Sequence, residues 1–483
     1  MDNSLALPIT SDYFTHDSSK DGHPKNTRER RGSMRQPSHP ISAMEMAYLP
    51  SQPSTPGNDL SYPNTPGTLS RIPSPTRSNP PPLVSTKQLL VYRATMYWAF
   101  FVEGWNDGAA GPLLSVIREE YGLNFTLVSM LFVAAACGFL LGAGLNIYLT
   151  DRYGLGKIMT YCAVLQMIAY TLIGVGINFP VMCFGYGICG MTMALHNAQG
   201  NIFVALMPGN ATSGMGMLHG FYGIGAMTAP LASTQFATRQ HWSYFYFISL
   251  GVAAVTSVSS LFVFKLKPIE ELIPHASADL ADSTALVQTN KYKEILRQKS
   301  VLLLAAWSLV YVGAEVTIGG WVVTFLQQMR GGGSSTGYVS SGFFGGLTVG
   351  RFVLWPVTDW LGGRRAMYVY GSLAVVLEII VWKAPNLIAD AVAVSFVGLM
   401  IGPLYPIVMN VSTEVLPRWI LAGSIGFVAS FGQMGSALFP FLTGLLATSR
   451  GVQVLQPLVI ALLAFMMVNW ALFLYHSGSR RQD

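Results

Sequence analysis

Asp151–Lys157 reads D-R-Y-G-L-G-K, and Asp359–Arg365 reads D-W-L-G-G-R-R. Each copy has an Asp first, a Gly three residues later and a cation six residues later. The copies are offset by 359 − 151 = 208 residues. The same offset links two further pairs, Asp107 with Glu315 and Gly111 with Gly319. A repeat of about 200 residues, with an acidic residue inside an apolar run of each copy, is typical of a membrane protein built from two homologous halves.

The composition indicates that most of the surface faces lipid. The chain has 483 residues, of which 51% are hydrophobic and 11% charged, and its mean hydropathy is +0.42. Soluble domains carry roughly 25% charged residues. The net charge of +6 could suggest a nucleic-acid partner. The cations lie between apolar runs, however, as the positive-inside rule expects, so we expect no nucleic acid to bind.

The cysteines indicate neither a metal centre nor a disulfide framework. They all lie inside apolar segments, and no two have CxxC spacing. We interpret them as packing residues and expect neither a cofactor nor a metal. They are Cys137, Cys162, Cys183 and Cys189.

Residues 1–85 are predicted to form a disordered cytosolic tail. They contain fourteen of the 27 prolines, many Ser and Thr, and no long apolar run. Such a segment cannot bury enough apolar surface to offset its chain entropy. Four positions follow R-E-R-R-G or precede Pro and are candidate phosphorylation sites, with an unmodified tail as the alternative. They are Ser33, Thr55, Thr65 and Ser74.

Twelve apolar runs of membrane-spanning length follow the tail. Residues 86–264 are predicted to form one six-helix bundle, with runs near 94–117, 125–149, 158–178, 181–206, 213–237 and 243–264. Residues 265–300 form a polar cytosolic linker rich in Lys and Glu. Residues 301–478 form the second bundle, with runs near 301–326, 335–357, 366–384, 387–411, 421–447 and 454–476. The predicted fold is therefore an all-α membrane protein of twelve transmembrane helices in two pseudo-symmetric bundles.

The cations also predict the orientation in the membrane. With the N-terminus in the cytosol, seventeen Lys and Arg residues near the membrane fall inside and five fall outside. The positive-inside rule then places both termini in the cytosol. We expect a multi-pass protein of the plasma membrane, with a vacuolar or other internal membrane as the alternative.

Two acidic residues in the first run are the leading candidates for function. An ionisable side chain in hydrocarbon is costly and marks a pathway or a paired site. Glu103 and Asp107 are four residues apart and therefore lie on one helix face. Two carboxylates this close in a partly dry site cannot both be ionised comfortably, so one is expected to take up a proton. A simple hydrogen bond from Glu103 to a neighbouring helix is the structural alternative.

Further polar residues lie in other runs. Glu315 stands at the repeat equivalent of Asp107, and His196 lies among amides in the fourth run. Both are added to the proton-coupling candidates, although a histidine in a membrane helix is often only a packing residue. The candidates for lining a solute cavity are Asn106, Asn197, Gln199, His219, Tyr222, Trp321, Tyr405, Asn410 and Gln433. Glu378, in the ninth run, is expected to be peripheral.

The repeated loop is interpreted as a pair of cytosolic gate motifs. Its Asp can face a helix N-terminus, where a carboxylate is favoured, and its cations remain in cytosolic water. The two loops are expected to hold the cytosolic face shut in one state. Arg351 precedes Asp359 by 359 − 351 = 8 residues and is expected to brace this gate. The motif residues are Asp151, Arg152, Gly154, Lys157, Asp359, Gly362, Arg364 and Arg365.

The twelve runs, the twice-written loop and the central linker resemble the major facilitator superfamily across residues 90–478. That family's loop usually has Gly four residues before the Asp, where Ile147 and Trp355 stand here. The chain is most similar to the fucose-permease-like branch and its fungal relatives of the bypass-of-stop-codon type. The stretches that carry this similarity are N-D at 106–107, L-H-G-F-Y-G-I-G-A at 218–226 and G-P-L-Y-P at 402–406. The resemblance implies that Asp107 matches the protonatable Asp of the proton-coupled sugar permease, and that His196 replaces a Glu.

The resulting hypothesis is proton-coupled symport of a small polar solute, with sugars among the candidates. A monomer would work by alternating access in the lipid bilayer, with Asp107 as the proton site. A proton antiporter that exports metabolites or drugs is the closest alternative. Such exporters typically have Gly-Pro followed by a Gly pair in the fifth helix, where this chain has A-P-L-A at 229–232. A non-transporting sensor is the second alternative. An enzyme is not expected, because no soluble domain remains after the helices are assigned.

Overall fold

The structure is a computed structural model that describes residues 84–208, 211–274 and 291–479. We label its membrane helices in chain order. The first half contains α1 (Thr86–Gly108, continued by Ala110–Glu120), α2 (Phe125–Tyr153), α3 (Leu155–Val175), α4 (Phe179–Leu206), α5 (Ala211–Ala237) and α6 (Trp242–Phe264). The second half contains α7 (Lys299–Arg330), α8 (Tyr338–Val353, continued by Trp355–Leu361), α9 (Gly363–Lys383), α10 (Leu387–Val415), α11 (Arg418–Arg450) and α12 (Val452–Ser477). In the described part of the segment that connects the halves along the chain, there are two short helices, Ile269–Leu272 and Lys291–Arg297.

Each predicted run coincides with one helix, which confirms the all-α fold of twelve membrane helices. Among the described residues, nine of these helices are long and apolar enough to cross a bilayer by themselves. The other three are α1, α5 and α8. Helix α1 is interrupted at Ala109, because Pro112 has no amide hydrogen for the carbonyl of Gly108. Pro356 has the same effect on α8, which turns at Leu354.

The two gate motifs adopt the same backbone conformation. Gly154 separates α2 from α3 with φ 74°, and Gly362 separates the continuation of α8 from α9 with φ 76°. Only glycine enters this region without strain, which explains the Gly three residues after each Asp. The repeat seen in the sequence is therefore a repeat of structure.

Repeat-equivalent residues also meet where the halves touch. A Cβ atom on Gly111 of α1 would clash with the carbonyl oxygen of Gly319 of α7. These glycines are 208 residues apart, so the axis that relates the halves passes close to them. Asp107 lies four residues before Gly111, and Glu315 lies four residues before Gly319, which is about one helical turn in each case. The two acids therefore lie on opposite sides of the axis.

The halves are in contact on the side of the membrane opposite the gate motifs, which we call the closed side. The backbone amide of Thr126 donates to Thr448 Oγ1 at 2.9 Å, and the two hydroxyls lie 2.8 Å apart. These bonds join α2 to α11. A second line of contact joins α5 to α8, where the side-chain amide of Gln235 donates to the hydroxyl of Tyr338. Both contacts lie near helix ends, so they close one face of the space between the halves.

Candidate functional site

The two acids of α1 have partners on different helices. Tyr222 of α5 donates its hydroxyl to Asp107 Oδ2 at 2.7 Å, while the side-chain amide of Asn106 lies 3.5 Å from Oδ1. Glu103 is only 2% exposed, and Asn197 of α4 donates to its Oε2 at 3.2 Å. Its Oε1 has no hydrogen-bond partner among the described residues. The one-face spacing of the two acids thus places them between α4 and α5.

A polar network extends from Asp107 into the first half. Asn106 accepts a hydrogen bond from Tyr170 of α3 at 3.2 Å, and Gln166 donates to the Tyr170 hydroxyl at 3.1 Å. The amide of Asn106 also lies 3.3 Å from the sulfur of Met193 on α4. Gln166 and Tyr170 are not among the residues predicted from the sequence. The sequence shows them only as a polar pair four residues apart in an apolar run, which is also compatible with ordinary packing.

The second half contributes a matching cluster around Glu315. Glu315 is 8% exposed and lies within electrostatic range of the hydroxyl of Tyr311, one turn earlier on α7, and of the guanidinium of Arg351 on α8. The Tyr311 hydroxyl itself donates to the carbonyl of Ile401 at 3.4 Å. Tyr405 of α10 stacks obliquely on Tyr311, with ring centroids 5.5 Å apart. Arg351 therefore belongs to the central cluster by position. The turn at Leu354 separates it from Asp359, so the two residues are not on one continuous helix.

The clusters of the two halves are close enough to influence each other. Asp107 interacts electrostatically with Glu315, and Tyr222 interacts with both Glu315 and Arg351. Three acids and one guanidinium thus surround the tyrosines between the halves. The arrangement provides hydrogen-bond donors and acceptors, and its acids can bind protons. Among the described residues, no group of three His, Cys, Asp or Glu side chains could hold a metal ion.

Two candidates of the first half lie away from this central cluster. The Nε2 atom of His196 lies 3.1 Å from the carbonyl oxygen of Met159, so its ring joins α4 to α3. Gln199 donates to Asn146 at 2.9 Å and to Thr150 at 2.7 Å, both on α2. These are packing contacts within the first half.

Trp321 lies at the closed side instead. It is fully buried, its indole N–H donates to the carbonyl of Pro440 at 3.1 Å, and its ring centroid is 5.8 Å from that of Phe125. The Trp321 side chain therefore contributes to the contact between α7, α11 and α2.

The remaining cavity candidates are spread towards the gate-motif side. His219 is exposed, its ring packs edge-on to Phe100 at 5.6 Å, and it interacts electrostatically with Arg351. Asn410 is exposed and lines a small pocket with Arg351 and Asp359. Gln433 is half-buried on α11.

The gate motifs are open to solvent in this structure. Asp151 and Asp359 are exposed, and neither carboxylate forms an ion pair or a hydrogen bond within the described part of the chain. Arg152 donates to the hydroxyl of Tyr148 at 2.8 Å, and Arg364 lies 3.4 Å from Glu414 of α10. Lys157 is half-buried and Arg365 is exposed. The candidate phosphorylation sites lie outside the described residues.

Comparisons with known proteins agree with this architecture. Residues 96–382 match the sequence profile of the Major Facilitator Superfamily. The chain is 26% identical over 400 residues to "Bypass of stop codon protein 6" of Saccharomyces cerevisiae, covering 77% of this chain and 80% of that protein. It is 21% identical to the glucose/mannose transporter GlcP of Bacillus subtilis, covering 72% of this chain and 86% of that protein.

A solved structure has the same fold. It is a bacterial homologue of the human lysosomal transporter Spinster, in an inward-facing and unoccupied conformation, with a TM-score of 0.65 and 12% identity. The match covers 82% of this chain and 98% of that one. The fold, the repeated loop and a profile match over more than half of the sequence lead to one family, whose membership points to a transporter rather than an enzyme. This chain belongs to the major facilitator superfamily.

Proposed function

We propose that the protein carries a small polar solute across the membrane by proton-coupled symport. The observation that supports this most strongly is the cluster of Glu103, Asp107 and Glu315 between the halves. If all three acids were ionised, Arg351 could neutralise only one of them. A net charge is costly in a poorly hydrated site, so proton binding is the simplest way for the cluster to approach neutrality.

Asp107 is the proposed coupling residue. It contacts α5 through Tyr222 and interacts across the axis with Glu315, so its charge acts on both halves. Alternating access requires the halves to move relative to each other around a central site. A proton on Asp107 would change the attraction and repulsion between the halves at the place where they pivot.

The solute is proposed to be neutral, with sugars as the first class to examine. The central side chains offer hydroxyl and amide groups, and the surplus of acids disfavours an anion. GlcP, by its name, transports glucose and mannose. Aromatic rings such as Tyr311 and Tyr405 would suit the apolar face of a sugar ring.

The closed side is proposed to face away from the cytosol, which makes this arrangement inward-facing. The excess of cations on the gate-motif side supports that assignment. We further propose that both termini are cytosolic and that a monomer in the plasma membrane is the working unit.

The test is a two-step experiment on purified protein. Neutral sugars, polyols and nucleosides are first screened for thermal stabilisation, because a ligand that binds the folded state raises the unfolding temperature. Each ligand found is then tested in liposomes with an imposed pH gradient. Symport predicts accumulation of the solute on the alkaline side. Accumulation on the acidic side would indicate the antiporter instead. Binding without any flux or counterflow would indicate the sensor.

A further inference from the structure

A second group of buried charges lies near the closed side of the second half, away from the central site. Glu378 of α9 is 1% exposed and Asp390 of α10 is fully buried. Glu378 interacts electrostatically with Asp390. Helix α9 ends at Lys383, 383 − 378 = 5 residues after Glu378. The carboxyl group therefore lies roughly 8 Å from the end of the helix, at 1.5 Å of rise per residue.

The cation of this group is already paired with Asp390. Arg330, the last residue of α7, donates its Nε–H to Asp390 Oδ2 at 2.6 Å and its Nη2–H to the carbonyl of Val381 at 2.6 Å. Its guanidinium also lies 5.2 Å from the centroid of the Phe325 ring. Arg330 and Asp390 thus form a neutral, nearly dry pair with 9% and 0% side-chain exposure.

Glu378 has no such compensation. Neither of its carboxyl oxygens has a hydrogen-bond partner among the described residues, and Asp390 Oδ1 has none either. The helices packed against α9 bring no other charge: α12 carries no ionisable side chain before Tyr475, and on α10 only Asp390 is ionised near this end. Lys383, on α9 itself, lies over the Trp382 ring at 3.8 Å. An ionised Glu378 would be an isolated buried charge, which membrane interiors strongly disfavour.

We propose that Glu378, beside the Arg330–Asp390 pair, is a second proton-binding site of this protein, separate from the central cluster. The ligand is a single proton on the Glu378 carboxyl group. It keeps the packing of α7, α9 and α10 electrically neutral at the closed side. Loss of the proton in alkaline medium would leave an unpaired charge next to Asp390 and loosen this packing.

The sign of the pH dependence follows from this assignment. The folded protein holds a proton that an unfolded, hydrated Glu already releases above a pH of about 4. Stability from this site is therefore present in mildly acidic medium and is lost as the pH rises. Glu378→Gln has no proton to lose, so it imitates the protonated form at every pH.

The experiment compares the full-length wild type, Glu378→Gln and Glu120→Gln. Glu120 is an exposed acid at the end of the continuation of α1, so its variant is the matched control. Unfolding temperatures are measured from mildly acidic to alkaline pH. We expect Glu378→Gln to lose less stability than the wild type as the pH rises, and to exceed it by on the order of 2 °C at alkaline pH. The central acids titrate in all three proteins and cancel in the comparison.

Infrared difference spectroscopy provides the second readout. At neutral pH the wild type should show a protonated-carboxyl C=O band that Glu378→Gln lacks and Glu120→Gln retains. An unchanged spectrum and an unchanged pH slope in Glu378→Gln would overturn the proposal. Glu378→Met, which keeps side-chain length without polar atoms, should also fold. If both Glu378 variants failed to fold, Glu378 would make an essential ionic contact and the proposal would be wrong. Neither readout depends on transport, so failure here leaves the proposed function intact.

Discussion

The closed side depends on the absence of a side chain at Gly444 of α11. A Cβ atom there would lie 2.6 Å from the carbonyl oxygen of Phe125 and 2.5 Å from Ser129 Oγ, both on the first turn of α2. Real Cβ atoms do not approach oxygen so closely, and the backbone carbonyl of Phe125 cannot rotate away. Gly444→Ala should therefore push α11 and α2 apart and disfavour this state relative to one in which the halves are separated here.

The size of the effect follows from the packing. Inserting one methyl group into a filled contact costs about 1–3 kcal/mol. If the open state pays none of this cost, the ratio of open to closed molecules rises by about 5- to 150-fold. The control is Gly426→Ala on the same helix, where an added Cβ meets nothing within 4 Å.

The assay measures solvent accessibility at the second contact of the closed side, between α5 and α8, away from the substituted glycine. Thr234 of α5 is 2% exposed and is replaced by cysteine, which is labelled with a membrane-impermeant maleimide. The protein without this reporter gives the background of the four native cysteines. Gly444→Ala should raise the labelling rate by the factor above, whereas Gly426→Ala should not. A folded Gly444→Ala protein that labels like its control would refute the claim that this contact closes the protein.

Two further predictions follow from the gate motifs and the tail. Asp151→Asn or Asp359→Asn should lower labelling at the Thr234 reporter. Each carboxylate is unpaired in the present state, and its proposed role is to stabilise the other state, in which the gate-motif side is shut. Unchanged labelling in a stable mutant would refute the gating role. Removing residues 1–80 should leave the transport rate per inserted molecule unchanged. The reason is that α1 begins after its own N-terminal cap, in which Ser85 Oγ accepts a hydrogen bond from the Gln88 amide at 3.2 Å. A lower rate per molecule would show that the tail is part of the transport machinery.

Hydropathy and the 208-residue repeat predicted the fold. The hydropathy signal is encoded locally, because each membrane helix must satisfy its backbone within itself and show apolar side chains to lipid. The repeat is visible in the sequence because both halves keep the same motif residues. The sequence did not predict that α8 turns at Leu354, although Pro356 was visible. Proline shows where a helix can break, but neighbouring helices decide whether it does: Pro230 and Pro440 lie inside continuous helices.

The candidate site was predicted only in part. Glu103, Asp107 and Glu315 were identified because ionisable residues are rare in apolar runs, and the structure brings them together. The roles of His196 and Gln199 were harder to judge, because one polar residue on a helix can face a cavity or a neighbour. Their rotation about α4 is fixed by tertiary contacts with Met159 and Asn146, which no local pattern encodes.

The most direct test of the central claim is solute movement by Asp107→Asn in liposomes. Asn keeps an oxygen that can accept the hydrogen bond from Tyr222, but it cannot gain or lose a proton. The variant should still bind solute and exchange it across the membrane, yet fail to accumulate it when a pH gradient is imposed. Glu120→Gln, which replaces an exposed acid outside the central cluster, should accumulate solute like the wild type. Accumulation by Asp107→Asn under the same gradient would contradict the account and show that the proton is carried elsewhere.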